Sequence, residues 1–137
     1  MSFDIWVSAF QHEDSFWFPT KELLSRFEGH MLEASDNGFK LNFDGEATLS
    51  RVFYEAKGDR IRGFTVSRPT SHAELWEIIA GFLRDLPCVL YWPSTTHNSC
   101  MGSLDLLPHL PASFIKACGI PFVSTDPESI RRYVSDN

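Results

Sequence analysis

Cysteine is scarce in this sequence, and a disulfide scaffold is excluded first. Cys88, Cys100 and Cys118 are the three cysteines among 137 residues. An odd number cannot close into a complete disulfide framework. The start, Met1-Ser2-Phe3-Asp4, also lacks the basic region of a secretory signal. Free thiols in a reducing cytoplasm are therefore expected. Long apolar runs are missing too: the longest is Cys88–Tyr91 extended by Trp92, far short of the about 20 residues of a membrane-spanning helix. There is no internal repeat, no Gly/Ser linker and no low-complexity tract. No GxSxG, P-loop, GxGxxG or HExxH pattern occurs, so no cofactor is expected. Positive charge is the last shortage. Twelve bases face 18 acids, a net charge of −6, and such a molecule repels phosphate backbones rather than binding them.

What remains is the composition of one ordinary globular domain spanning residues 1–137. Hydrophobic residues make up 43% and charged residues 22%, and a chain of this length buries enough surface to fold without a metal or a disulfide. The charge is unevenly placed. Residues 1–50 carry nine acids and three bases, residues 51–68 two acids and five bases, and residues 69–137 seven acids and four bases. An acidic first third would attract a basic protein partner and speed its association.

The pattern of apolar residues predicts an α+β fold: an antiparallel meander, then a long helix, short strands and a C-terminal helix. Phe3, Ile5, Val7 and Ala9 alternate as one face of a strand. Trp6 and Phe10 occupy the other face, which must be partly covered, so this strand is expected to be central. Pro19-Thr20 opens a short helix that stops at Gly29. Asp36-Asn37-Gly38 is a type I′ hairpin signal, Asp44-Gly45 a second tight turn and Lys57-Gly58-Asp59 a third. Gly63 sits where the apolar phase changes, the signature of a β-bulge. Ser71-His72-Ala73-Glu74 reads as a capping box for a helix over 72–86, ended by Pro87. Cys88–Trp92 reads as a short buried strand, and 93–103 as a polar loop. Residues 103–107 and 111–118 read as short helices. Ile120–Val123 is a weak edge strand because of Pro121. Asp126-Pro127 caps a terminal helix.

Two candidate sites emerge. The first combines the aromatic run Phe16-Trp17-Phe18 with acids at the turns: Glu13, Asp14, Glu33, Asp36, Asp44 and Glu46. Aromatic anchors beside charge are the composition of an interface hot spot, with Trp17 as the anchor for a basic partner. The competing reading makes the run a staple holding the first helix on the sheet. The second candidate is the loop 93–103 with Trp92 at its start, where His97 and Cys100 could form a base–nucleophile pair in a small enzyme or ligand-binding domain. A solvated connector is its bland alternative. No metal site is expected, since His12, His30, His72 and His109 are scattered singly along the chain. Edge-strand pairing into a homodimer stands beside a monomer.

Phe3-Asp4-Ile5-Trp6-Val7-Ser8-Ala9-Phe10, Gly63-Phe64-Thr65-Val66-Ser67-Arg68-Pro69 and Val89-Leu90-Tyr91-Trp92-Pro93 together resemble a set of small bacterial α+β proteins. Some proteins of that kind act as immunity proteins against polymorphic toxins. The resemblance implies a cytoplasmic protein-binding role, occlusion of a basic toxin domain, and supplies no functional residue. This chain departs from the pattern at Glu13-Asp14, where a glycine-containing turn is expected.

Overall fold

Ile5, Val7 and Ala9 are buried while their neighbours are only half covered, so the period of two in the first strand survives intact. The computed structural model describes residues 1–95 and 98–136. In chain order the strands of the first half are β1 (Asp4–Gln11), β2 (Asp14–Ser15), β3 (Phe18–Pro19), β4 (Met31–Ser35), β5 (Gly38–Phe43), β6 (Glu46–Phe53), β7 (Arg60–Ile61) and β8 (Gly63–Ser67), with helix α1 (Thr20–Arg26) after β3. The second half holds α2 (Ala73–Asp85), β9 (Cys88–Tyr91), β10 (Ser99–Met101), a 3₁₀ helix (Leu104–His109), α3 (Ala112–Cys118), β11 (Phe122–Val123) and α4 (Pro127–Ser135).

The main sheet runs in the order β11-β10-β9-β1-β8-β6-β5-β4, with β2 paired to β1. Only β10 and β11 are parallel neighbours in it. The meander expected from the turns is β4-β5-β6-β8, and β1 is central, between β8 and β9. The inner face carries Phe39, Leu41, Phe43, Val52, Phe64, Val66 and Leu90, and it packs against Leu23 and Phe27 of the α1 region, the stripe of α2, and Ile130 and Val134 of α4. On the outer face a smaller cluster seats the 3₁₀ helix and α3 over β9 and β10 through Val89, Met101, Leu106 and Leu110. No described helix is long and apolar enough to cross a membrane.

Local details correct several sequence expectations. Asp44 and Gly45 both take positive φ (53° and 76°), as a type I′ turn requires. At the other hairpin none of Asp36, Asn37 and Gly38 does. Gly38 is needed for space instead, because a Cβ there would run into the Val52 carbonyl oxygen. The capping box is replaced by a histidine cap: His72 Nδ1 accepts from the Glu74 amide at 3.2 Å, while the Glu74 carboxylate turns to His30. Ile61 and Phe64 both point inward, and Arg62 and Gly63 absorb the phase change, with the Arg62 carbonyl accepting from Ala9 at 2.9 Å. β10 lies within the stretch read as a polar loop; three residues are too few to show alternation.

Candidate functional site

Helices cover the outer sheet face over β9, β10 and the Phe10 end of β1, and the remainder of that face is concave. Register places Phe53 opposite Thr65, Thr65 opposite Trp6, and Trp6 opposite Tyr91. One row of side chains thus crosses four strands. Trp6 stacks on Tyr91 with ring centroids 5.4 Å apart and planes 26° from parallel. Tyr91 meets Phe114 of α3 edge-on at 5.4 Å, and its hydroxyl lies 3.1 Å from Ser8 Oγ. These contacts hold the floor and one wall of a cleft of about 980 Å³. The opposite wall is the β4–β5 turn at Asp36 and Asn37 and the end of β6 at Phe53 to Ala56, tied together by the Tyr54 amide donating to the Asn37 carbonyl at 3.0 Å. Arg62 closes one end.

Two features keep this cleft open. Gly63 faces Ser8 across the strand pair, and a Cβ there would strike the Val7 carbonyl oxygen. Phe53 remains 45% exposed although it belongs to the aromatic row. Its lining mixes aromatic rings with polar and charged groups in comparable share, and an open cleft of this size can receive part of a ligand or partner. Charge at its mouth comes from Asp36 and Glu55 against Arg62.

No match was found among protein-family models, curated proteins or solved structures. The meaning of the cleft therefore rests on its own geometry.

The acidic surface expected from the sequence is not one surface. Glu13 sits at the tip of the β1–β2 turn, where His12 and Glu13 take φ of 53° and 65° in place of a glycine. That turn is pinned to the 3₁₀ helix, since the His12 amide donates to His109 Nδ1 at 3.0 Å and the Glu13 amide to the His109 carbonyl at 2.9 Å. Asp14 accepts from the Ser15 amide. Glu33 lies on the edge strand β4 and pairs with Arg51 at 3.2 Å. Asp44 pairs with His72 at 2.7 Å, and Glu46 is exposed beside it at the start of β6. Asp36 and Asp44 stand beyond opposite ends of β5, whose five steps from Gly38 to Phe43 alone span roughly 17 Å at about 3.4 Å per residue. Of the named acids only Asp36 lines the cleft.

Trp17 is likewise displaced from its expected setting. Pairing of β3 with β7 brings Trp17 to the basic segment, where Arg62 Cζ lies 5.6 Å and Lys57 Nζ 5.9 Å from the ring centroid, and Arg60 donates to the Trp17 carbonyl at 3.2 Å. The ring is half-buried and occupied by cations of its own chain, so it is not a free anchor beside acids. Phe18, its neighbour, is in the core. The staple reading of this aromatic run is the one the contacts favour.

The 93–103 candidate changes character as well. His97 lies outside the described residues. Trp92 is buried, and Cys100 is a fully buried residue of β10 on the inner face, with Sγ 3.8 Å from the Ser124 carbonyl. Burial pushes the Cys100 thiol up to about 12, and the Cys88 thiol likewise, so neither offers a thiolate near neutral pH. Cys118 at the end of α3 is half-buried, and burial also raises its thiol. Treating the native protein with iodoacetamide at mildly alkaline pH should label Cys118 first and leave Cys88 and Cys100 untouched until denaturant is added. Mass mapping of the alkylated peptides checks this, and early labelling of Cys100 would restore it as a candidate nucleophile.

The four described histidines, scattered in sequence, are brought together two by two in space. His12 and His109 pack edge to face at 5.0 Å, and His30 and His72 both pack on Phe43. No sequence pattern announced either pair, because each joins segments that only the fold brings together.

Proposed function

We propose that this protein is a non-catalytic, cytoplasmic binding module that holds a protein partner on its open outer sheet face, in the manner of an immunity protein occluding a basic toxin domain. The observation that carries the reading is the Phe53–Thr65–Trp6–Tyr91 row across the centre of the sheet, covered by α3 at its Tyr91 end, half-buried at Trp6 and Thr65, and 45% exposed at Phe53. Aromatic side chains on a rigid sheet bury large area at small entropic cost, which is the physics of an interface anchor. The net charge of −6 and the acids Asp36 and Glu55 at the rim favour a partner that brings a lysine or arginine together with apolar side chains. A cation entering beside Trp6 gains from the ring face as well as from the carboxylates. The three free cysteines suit a reducing compartment.

The test is affinity capture from the native host with the wild-type chain, followed by calorimetry with the captured protein. Phe53→Glu is expected to weaken binding at least about 100-fold, the scale of a hot-spot residue. Reversing Asp36 and Glu55 to lysine should slow association and flatten its salt dependence. Trp17→Ala and Glu46→Lys should bind as the wild type does. A partner that binds Phe53→Glu with unchanged affinity, or one that is itself acidic, overturns the assignment of this face.

A further inference from the structure

Away from the cleft, four side chains from three separate segments converge around the ring of Phe43. His30 follows α1, Asp44 occupies the β5–β6 turn, and His72 and Glu74 open α2. Phe43 is buried, with the His30 ring centroid 4.8 Å from its own and the His72 ring stacked on it at 4.9 Å and 13°. Both imidazoles are thereby held in place before any ligand arrives. Asp44 is fixed by its left-handed turn position, φ 53°.

The hydrogen bonds show what this arrangement wants. His30 Nδ1 lies 3.1 Å from the Asn42 carbonyl, which can only accept, so Nδ1 carries a proton. His30 Nε2 faces Glu74 Oε2 at 3.1 Å. Across the site, His72 Nε2 stands 2.7 Å from Asp44 Oδ2. One ligand atom each from Asp44, His72 and Glu74 lies within 4.8 Å of the other two.

The geometry points to a single-ion site for a divalent first-row transition metal of the zinc type, with Asp44, His72 and Glu74 as ligands and His30 orienting the Glu74 carboxylate. Imidazole with carboxylates is the donor set of such ions, whereas magnesium and calcium take oxygen alone. Tetrahedral ligands about 2.0–2.1 Å from zinc sit roughly 3.4 Å apart. The two carboxylates are on exposed or half-exposed side chains and can adjust to that spacing, Asp44 moving out from its 2.7 Å contact with His72. A carboxylate held by a second histidine, itself bonded to a carbonyl, is the outer support that metal ligands receive. A fourth position stays open to water. The ion would tie the β5–β6 hairpin to the start of α2, independently of the cleft and whatever occupies it.

Binding has a signature that a pair of ordinary ion pairs lacks. His72 Nδ1 accepts from the Glu74 amide, so its proton resides on Nε2. A metal on Nε2 must move that proton to Nδ1 and release the helix cap. The test titrates Zn²⁺ into chelator-treated protein by calorimetry, with Co²⁺ as the optical probe, Mg²⁺ as the control, and ¹⁵N spectra of the imidazoles. One equivalent of Zn²⁺ should bind with a dissociation constant in the micromolar range or below, convert His72 from the Nε2–H to the Nδ1–H tautomer, and raise Tm by several degrees. The surface substitution Asp44→Asn and the pair Asp44→Asn/Glu74→Gln should weaken binding at least about 30-fold, and His30→Gln about 10-fold, with unchanged circular dichroism. His109→Gln, in the other imidazole pair, should change nothing. Absence of binding at about 0.1 mM Zn²⁺, an unmoved His72 tautomer, or binding lost with His109→Gln and retained in Asp44→Asn overturns the site.

Discussion

Raising the pH from about 8 to about 10.5 is expected to remove roughly 4 kcal/mol of folding stability, through two buried thiols. Cys88 and Cys100 face the inner core on the neighbouring strands β9 and β10, and burial lifts each from an ordinary value of 9.0 to about 12. Below pH 9 both states hold these protons and stability is unaffected. Above it the unfolded chain ionises while the folded chain does not, so each thiol withdraws about 1.4 kcal/mol per pH unit until the folded value is reached. Domains of this kind have about 5–15 kcal/mol in all, so the loss is a large fraction. Urea midpoints across this range measure it. The Cys88→Ala/Cys100→Ala variant starts less stable, yet its stability should fall much more gently with pH, since other alkaline groups are common to both proteins. Parallel slopes would show that the thiols already reach solvent.

Phe82→Ala is expected to cost about 3–5 kcal/mol, the usual range for deleting a fully buried ring. Phe82 on α2 packs on Phe64 of β8 at 4.9 Å and Phe18 of β3 at 6.4 Å, and the Arg26 guanidinium lies over its ring at 4.9 Å. Arg26 in turn reaches Glu22 and Asp85, and Arg84, followed by Arg26, holds the Asp85 carboxyl below the usual carboxylate range. Removing the ring therefore empties the junction where α1, α2 and the sheet meet. Phe82→Leu, which keeps most of the volume, should cost about 1.5 kcal/mol. Denaturant unfolding of the two variants reads the difference directly, and a loss below about 1.5 kcal/mol for the alanine variant would mean that the junction collapses to fill the gap.

The contrast with Phe53 separates the two faces of one sheet. Phe53→Glu touches a side chain that is already 45% exposed, so its effect on stability should stay within about 0.5 kcal/mol. Its effect on partner binding should be the largest in the molecule. Stability thus belongs to the inner face and recognition to the outer one, a division made possible by helices that cover β9, β10 and the Phe10 end of β1 and leave Phe53 of β6 exposed.

The sequence by itself determined the α+β class, the central β1, the meander, the long helix and the edge position of β11, because each depends on local periodicity and on residues with fixed turn preferences. Asp44-Gly45 and Asp126-Pro127 act through their own backbone angles and needed no partner to be read. Trp6 and Phe10 were legible as the second face of β1, but not which of them a helix would cover. Only the tertiary structure decided that Phe10 lies under α3 while Trp6 floors a cleft, that Trp17 meets cations rather than acids, and that Cys100 is interior. It also dispersed the acids to opposite ends of β5 and gathered His30, Asp44, His72 and Glu74 around one ring. Each of these outcomes depends on which segments become neighbours. Neighbourhood across a sheet is set by strand order and register, which the summed packing of the whole core selects and no local pattern records.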